Sequence, residues 1–432
     1  MNFSAALNYL YGLGHETLTM KFGLRNTQIL LAALGNPEQS FLKIQIVGTN
    51  GKGSVCAFLD AICRAANLKV GLYTSPHLVE IVERIKINGK NMSEIDFARL
   101  TTIVRQVAEK LVRNGELEIL PTFFEHLTVI ALLAFREQQV EVAILETGLG
   151  GRLDAVTAAA AEIIGITPIS LDHQAYLGDT LPQIAAEKAA VIRAGARVVV
   201  ARQEPAAMHE ILRQQQNVKA PALTKTGNFK IKSVAADGNL TVDFAAENNF
   251  YSDVRLSLRG RHQCENAAVA IGLAELMQEF AVHITAQQII QGLESAVHAG
   301  RLELREDLSP PILFDGAHNI AGAKALNAFL REFYSNTRLT IIFGAMRDKD
   351  LAEITAAIFP LATTLILTPV SNPRAARGAD LSLFAALPNA SIVAQNVAEA
   401  LKIARQTTAP DNLICVTGSL YLIGEAHKIL SA

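Results

Sequence analysis

The chain has 432 residues, 50% hydrophobic and 19% charged, which is too apolar for disorder and long enough for two domains. Its net charge is -2 with no Lys/Arg block dense enough to neutralise a row of phosphates, which excludes a nucleic-acid partner. Four cysteines without CxxC spacing (Cys56, Cys63, Cys264, Cys415), no basic leader, and no apolar run longer than LTVIALLAF point to a cytoplasmic protein without a membrane partner.

The apolar run at 42 to 47 leads into IVGTNGKGSVCAFL, and apolar residues recur at helical spacing from Ser54 to Ala66. The pattern predicts strand, glycine loop, helix. That order suits a phosphate loop, yet the common form is G-x-x-x-x-G-K-[ST], whereas the run from Gly48 is shorter and places Gly53 between Lys52 and Ser54. Gly48, Gly51 and Gly53 allow a tight turn with N–H groups aimed at phosphate oxygens, and the helix N-terminus adds its dipole. Lys52 supplies a point charge for the β- and γ-phosphates, and Ser54 a hydroxyl suited to Mg2+.

Further strand runs at 70 to 74, 142 to 146, 163 to 167 and 197 to 201 alternate with helical patterns, which predicts an α/β domain with a mostly parallel sheet. ETGLGGRLDAV follows the strand VAILE, so Glu146 stands at a strand's carboxyl end, where open α/β sheets bind ligands, and is the first metal candidate. Such an acid can equally be a solvated strand end. The stretch 166 to 195 places Asp172 and His173 in a polar loop before a helix entered near Thr180, with Pro182 in its first turn and Lys188 in its middle. Taken singly, His173 reads as surface or core filler and Lys188 as a solvated helix lysine, and imidazole is not the natural Mg2+ ligand.

Between Phe229 and Leu258 polar alternation predicts a small antiparallel ribbon at the edge of the first domain. A second α/β series follows, with PILFDGAHN, RLTIIFGAM, TTLILTPV and NLICVTGSL as its strands. The boundary falls at VHAG, giving domains 1–297 and 298–432, the second smaller and Rossmann-like. Asp315, His318 and Asn319 lie at one strand end, and Gly418 and Ser419 at another, just before a helix whose N-terminus suits a carboxylate. The second domain is expected to close over a substrate held by the first.

In order, KFGL, LLAALGNP, VGTNGKGS, YTSPHL with ERIKING, TFFE, ETGLGGRLDA, SLDHQ, EKAAVIR, GRHQCENAAVA, GRLE, DGAHN, DKD and VTGSLYLIGE span nearly the whole chain. Together they resemble the folylpolyglutamate synthase and dihydrofolate synthase family of the Mur ligase superfamily, whose phosphate loop has the short G-T-x-G-K form. The resemblance implies a Mur-ligase-type ATPase domain and an ADP-forming ligase. It would add L-glutamate to dihydropteroate and to tetrahydrofolate through an acyl phosphate, as a monomer.

By resemblance, ATP contacts fall on Asn50, Gly51, Lys52, Gly53, Ser54, Asn266, Arg301 and Asp315. Two Mg2+ ions are held by Ser75, Glu146 and His173, and Lys188 is carbamylated. The pterin substrate lies near Thr122, Phe123, Glu125 and Asp154, with Phe123 or Phe124 supporting a flat ring. Glutamate lies near His318 and Ser419, and Lys52, Lys188 and His318 are the catalytic set.

Two departures stand out. His298, Ala299, Gly300 and Arg301 replace the family's P-G-R, and Thr157 with an alanine run follows Val156 where the family continues with a Thr-Asn or Val-Asn pair. The alternatives are a monofunctional folylpolyglutamate synthase, a sister Mur-type amino-acid ligase, or, from another class, a P-loop kinase or nucleotide-gated binding module. The last leaves DGAHN and TGS without a role.

Overall fold

The computed structural model describes residues 1–14, 23–384 and 391–431, so Lys21 and Phe22 of the KFGL motif lie outside the described residues. Strands β1 (Leu42–Val47), β2 (Val70–Tyr73), β3 (Ile85–Ile87), β4 (Lys90–Asn91), β5 (Val142–Glu146), β6 (Ile163–Ile166), β7 (Arg197–Val200) and β8 (Thr224–Lys225) form one sheet in the order β4-β3-β2-β5-β1-β6-β7-β8. All neighbours pair in parallel except β2 with β3 and β3 with β4, which are antiparallel. Strand β5 inserts between β1 and β2, and β6 adds on the other side of β1. The connections around β1 therefore diverge, which opens a crevice at its carboxyl end.

Alternating residues of the central strands face opposite cores. Ile44, Val142 and Ile144 pack with Phe58 and Ile62 of helix Lys52–Ala65. Tyr73, Ala143 and Leu145 pack with Leu127 and Phe135 of helix Phe123–Glu137. Because both faces are covered, these strands read as continuous apolar runs.

The predicted ribbon is present as β9 (Asn228–Val234), β10 (Leu240–Ala245) and β11 (Phe250–Arg255), all antiparallel. It is a separate sheet and does not extend the edge of the first. Leu240, Val242 and Phe244, every second residue of β10, join the same core as Cys264 and Ala267 of helix Gln263–Leu276.

The third sheet contains β12 (Glu303–Arg305), β13 (Ile312–Asp315), β14 (Leu339–Phe343), β15 (Thr364–Leu367), β16 (Ile392–Val393) and β17 (Leu413–Thr417), in the order β12-β13-β17-β14-β15-β16. Its four long strands are the four read from the sequence. Asp315 of β13 and Phe343 of β14 both stand beside Thr417 of β17, so the loops DGAHN, GAMRDKD and TGS leave from adjacent strand ends. Among the described residues no helix is long and apolar enough to cross a membrane.

Candidate active site

Strand register brings the first set of site residues together. Ile46 stands beside Glu146, and Val47 beside Ile166, so the loops after β1, β5 and β6 open side by side. The glycine loop requires its glycines. Gly48 (φ +149°) would bring a Cβ within 1.9 Å of the Thr167 hydroxyl, and Gly51 (φ +90°) would bring one within 2.2 Å of Asn266 Oδ1. Lys52 opens the helix and folds back, its Nζ donating to the carbonyls of Gly48 (3.2 Å) and Thr49 (3.1 Å). Asn266 donates to Gln263 Oε1 and Gln263 to Ser54 Oγ, while His298 Nδ1 stands 3.3 Å from the same hydroxyl. The histidine of the departed P-G-R motif thus sits over the phosphate loop.

Lys188 is not a surface residue. It is 5% exposed, and its Nζ donates to the Gly48 carbonyl at 2.9 Å. Burial, then the nearby Lys52 charge, lower its pKa to about 7, so an appreciable share of the amine is neutral at physiological pH.

Glu146 is 6% exposed, and burial raises its pKa against the opposing pull of Lys52. Its Oε2 accepts the Ser75 backbone N–H at 3.1 Å. Oε1 faces Gly53, 3.6 Å from where a Cβ would stand, so any larger residue would close the gap between carboxylate and loop. Among the described residues no three His, Cys, Asp or Glu side chains gather into an all-protein metal cage. One buried carboxylate, the hydroxyls of Ser54 and Ser75 and space for phosphate oxygens fit Mg2+, which keeps waters and shares its shell with phosphates. His173, in the left-handed region at φ 53°, is neutral at physiological pH because burial lowers its pKa to about 4.

A cavity of about 450 Å³ adjoins this loop cluster. Ser75, Thr122, Phe123, Glu125, Asp154, His173, His318 and Ser419 all line it, so the expected pterin and glutamate residues meet in one space with two of the expected metal residues. Their roles in the wall differ. Phe124 covers Gly148 beside the cavity, whereas Phe123 is buried, stacked on Tyr11 at 5.7 Å with Arg84 over its ring. The Glu125 carboxylate closes a capping box with Thr122 and accepts from Thr27, so it holds the helix start. Asp154 accepts the N–H groups of Gly148, Leu149 and Val156, and burial pushes its pKa to about 6.

The other wall comes from the third sheet. The His318 ring donates from Nδ1 to the Gly316 carbonyl at 2.7 Å, which leaves Nε2 as the lone-pair nitrogen, and burial lowers its pKa to about 4. Ser419 caps helix Leu420–Leu430 by accepting from Leu422 N–H. Arg301 donates to the Gly316 carbonyl, and Asp315 accepts from Leu302 and Ala317, which fixes the DGAHN turn.

Three polar contacts tie the two walls. Asn319 donates to Asn50 Oδ1 (2.9 Å) and to Asp172 Oδ2 (3.2 Å), and Lys349 donates to Asp172 Oδ1 (2.7 Å). Burial acts to raise the Asp172 pKa, but the adjacent His173 and then Lys349 hold its carboxyl well below the usual carboxylate range. Sequence reasoning did not single out Lys349, although it lies within the quoted DKD. It also missed Arg374, in a loop after β15, and Tyr176, in the short helix Gln174–Leu177, which line the same cavity without a local chemical signal.

Comparison with known proteins agrees with this geometry. The Mur ligase middle domain family matches residues 46–274, and the Mur ligase, glutamate ligase domain family matches residues 300–420. The chain is 33% identical to the dihydrofolate synthase/folylpolyglutamate synthase of Bacillus subtilis over 96% of this chain and 97% of the relative. It superposes on a Mycobacterium tuberculosis folylpolyglutamate synthase complexed with ADP with a TM-score of 0.89 and 30% identity, covering 99% of each chain. For Escherichia coli FolC in complex with DHPP and ADP the TM-score is 0.87 and the identity 27%, over 100% of this chain and 98% of that one. The chain belongs to the Mur ligases, in the dihydrofolate synthase/folylpolyglutamate synthase family.

Proposed function

We propose that the protein is an ATP-dependent, ADP-forming ligase that adds L-glutamate to dihydropteroate and to tetrahydrofolate through an acyl phosphate. The observation that carries the reading is one cavity walled by the loops around the phosphate loop on one side and by DGAHN, GAMRDKD and TGS on the other. A phosphoryl donor, a carboxylate acceptor and an amine nucleophile must meet in one water-poor space, because water destroys an acyl phosphate.

In this mechanism the loop N–H groups and Lys52 hold the β- and γ-phosphates, and Asn266 and Arg301 hold the rest of the nucleotide. The pterin lies against Phe124, in a wall that Asp154 and Glu125 keep in shape. Its carboxylate attacks the γ-phosphorus, and ADP leaves. The incoming amine then attacks the activated carbonyl, and inorganic phosphate departs with one former carboxylate oxygen. His318 Nε2 is a weak base at rest. It suffices for the strongly acidic ammonium formed as the amide bond closes. Glu146, Ser54 and Ser75, with His173 nearby, would hold Mg2+, which would supply charge neutralisation for the transferring phosphoryl group. Lys188, neutral often enough to react with CO2, would present its carbamate oxygens beside the phosphate loop. The cross-wall contacts through Asp172 suit closure within one monomer, and four buried free thiols suit a reducing cytoplasm.

The test is ADP release with Mg-ATP and L-glutamate. Turnover with dihydropteroate and with tetrahydrofolate supports the dual activity, whereas turnover with tetrahydrofolate alone restricts the enzyme to tail extension. No glutamate-dependent ADP with either acceptor rejects the reading.

A further inference from the structure

His298 lies in the linker between helix Ala286–Ser295 and β12. The linker is pinned on either side of it. The Ala296 carbonyl accepts the Ser257 hydroxyl (2.8 Å), the Gly300 N–H donates to Glu303 Oε2 (2.8 Å), and the Gly300 carbonyl accepts the Gly316 N–H (2.8 Å). Val297 is 82% exposed and Ala299 is exposed, whereas the His298 ring between them turns inward onto the phosphate loop. Gly53 admits the ring there, since a Cβ on that residue would stand 2.7 Å from His298 Cε1 and 2.9 Å from Nε2. The same point is 3.6 Å from Glu146 Oε1, so imidazole and carboxylate approach one flank of the loop together.

His298 Nδ1 is 3.3 Å from Ser54 Oγ, the hydroxyl suited to the nucleotide's metal. That spacing is long for a hydrogen bond. It is close to the roughly 3 Å that separates two neighbouring ligands, each about 2.1 Å from one cation, at a right angle. Ser54 Oγ, Glu146 Oε1 and His298 Nδ1 thus offer two oxygens and a nitrogen, with the ring proton on Nε2. A hard cation such as Mg2+ gains little from imidazole, whereas first-row transition ions gain from it.

We infer that His298 is a nitrogen ligand of the nucleotide's metal ion, and that it biases this site toward a transition ion such as Mn2+ over Mg2+. The inference rests on the ligase reading above, which supplies the metal-nucleotide complex, and adds a ligand from the linker to the oxygen donors of the loops. His173 belongs to the loop after β6 and stands 3.8 Å from Asp172 Oδ2, so the two imidazoles can be separated by mutation.

The test is pulsed EPR of the full-length protein with Mn2+ and ADP, with metal-free ADP affinity as the folding control. The expected result is a 14N coupling from a directly bonded ring nitrogen that persists in His173→Ala and disappears when His298→Ala is added. In His298→Ala alone, the ratio of Mn2+ to Mg2+ affinity of the ADP complex should fall roughly 10-fold. His298→Gln, which removes the imidazole but keeps a polar side chain, carries the test if the alanine variant does not fold. No coupling in His173→Ala with Mn2+ and ADP bound overturns the inference. So does a coupling that survives without His298, which would assign it to another nitrogen, or an unchanged affinity ratio, as a merely structural role would give. Wild-type enzyme that releases no glutamate-dependent ADP with either metal would instead remove the ligase reading itself.

Discussion

At the scale of single residues, two lysines meet at one carbonyl. Lys52 and Lys188 both donate to Gly48 O, and their mutual repulsion adds to burial in pushing the Lys188 pKa down to about 7. Carbamylation consumes the neutral amine, so its extent should rise as pH increases through about 7 at fixed CO2 pressure. NMR with 13C-labelled CO2 should show a carbamate signal growing across that window and absent from Lys188→Ala. A signal that is flat with pH, or present in the variant, would contradict this. Restoring turnover of Lys188→Ala with a small added carboxylate is the matching functional readout. Lys52→Ala should keep its fold, since the side chain packs against backbone carbonyls and not the core, yet lose on the order of 10²-fold to 10³-fold in kcat/KM. Unchanged turnover in a folded Lys52→Ala would remove the residue from the chemistry.

At the scale of elements, the loop after β5 keeps its shape through one carboxylate. Asp154→Ala would strip Gly148, Leu149 and Val156 of their shared acceptor, which should cost about 1 to 3 kcal/mol in urea unfolding and raise the KM of the pterin substrate. A loss of substrate affinity with full stability would instead mean that Asp154 touches the ligand directly. The long strands of both mostly parallel sheets were legible because burial on both faces leaves near-continuous apolar runs, VAILE and LICVT among them. The strands β3, β4, β8, β12 and β16 were not, since elements of two or three residues show no period. The motif residues of the site were legible from Lys52 to Ser419. What they do locally was less so: the T-x-x-E spacing of Thr122 and Glu125 is a capping-box signature that the motif reading passed over, and no pattern shows that Lys188 points inward under the phosphate loop.

At the scale of the whole molecule, the proposed chemistry requires the two walls to close on the substrates, and helix Leu420–Leu430 comes close to the loop after β2. A Cβ on Gly424 would lie 1.9 Å from the Leu78 carbonyl in the loop after β2. Gly424→Ala should therefore hold the walls apart, lowering glutamate-dependent turnover while ADP affinity stays unchanged, and equal turnover would show that this approach does not limit closure. The account rests on a carboxylate phosphorylated by ATP and released to an amine. Dihydropteroate carrying 18O in its carboxylate, turned over with Mg-ATP and L-glutamate, tests this most directly by mass analysis of the phosphate. The account predicts one 18O atom transferred to each inorganic phosphate released, together with an amide product that retains one. Amide product formed with unlabelled phosphate would contradict it.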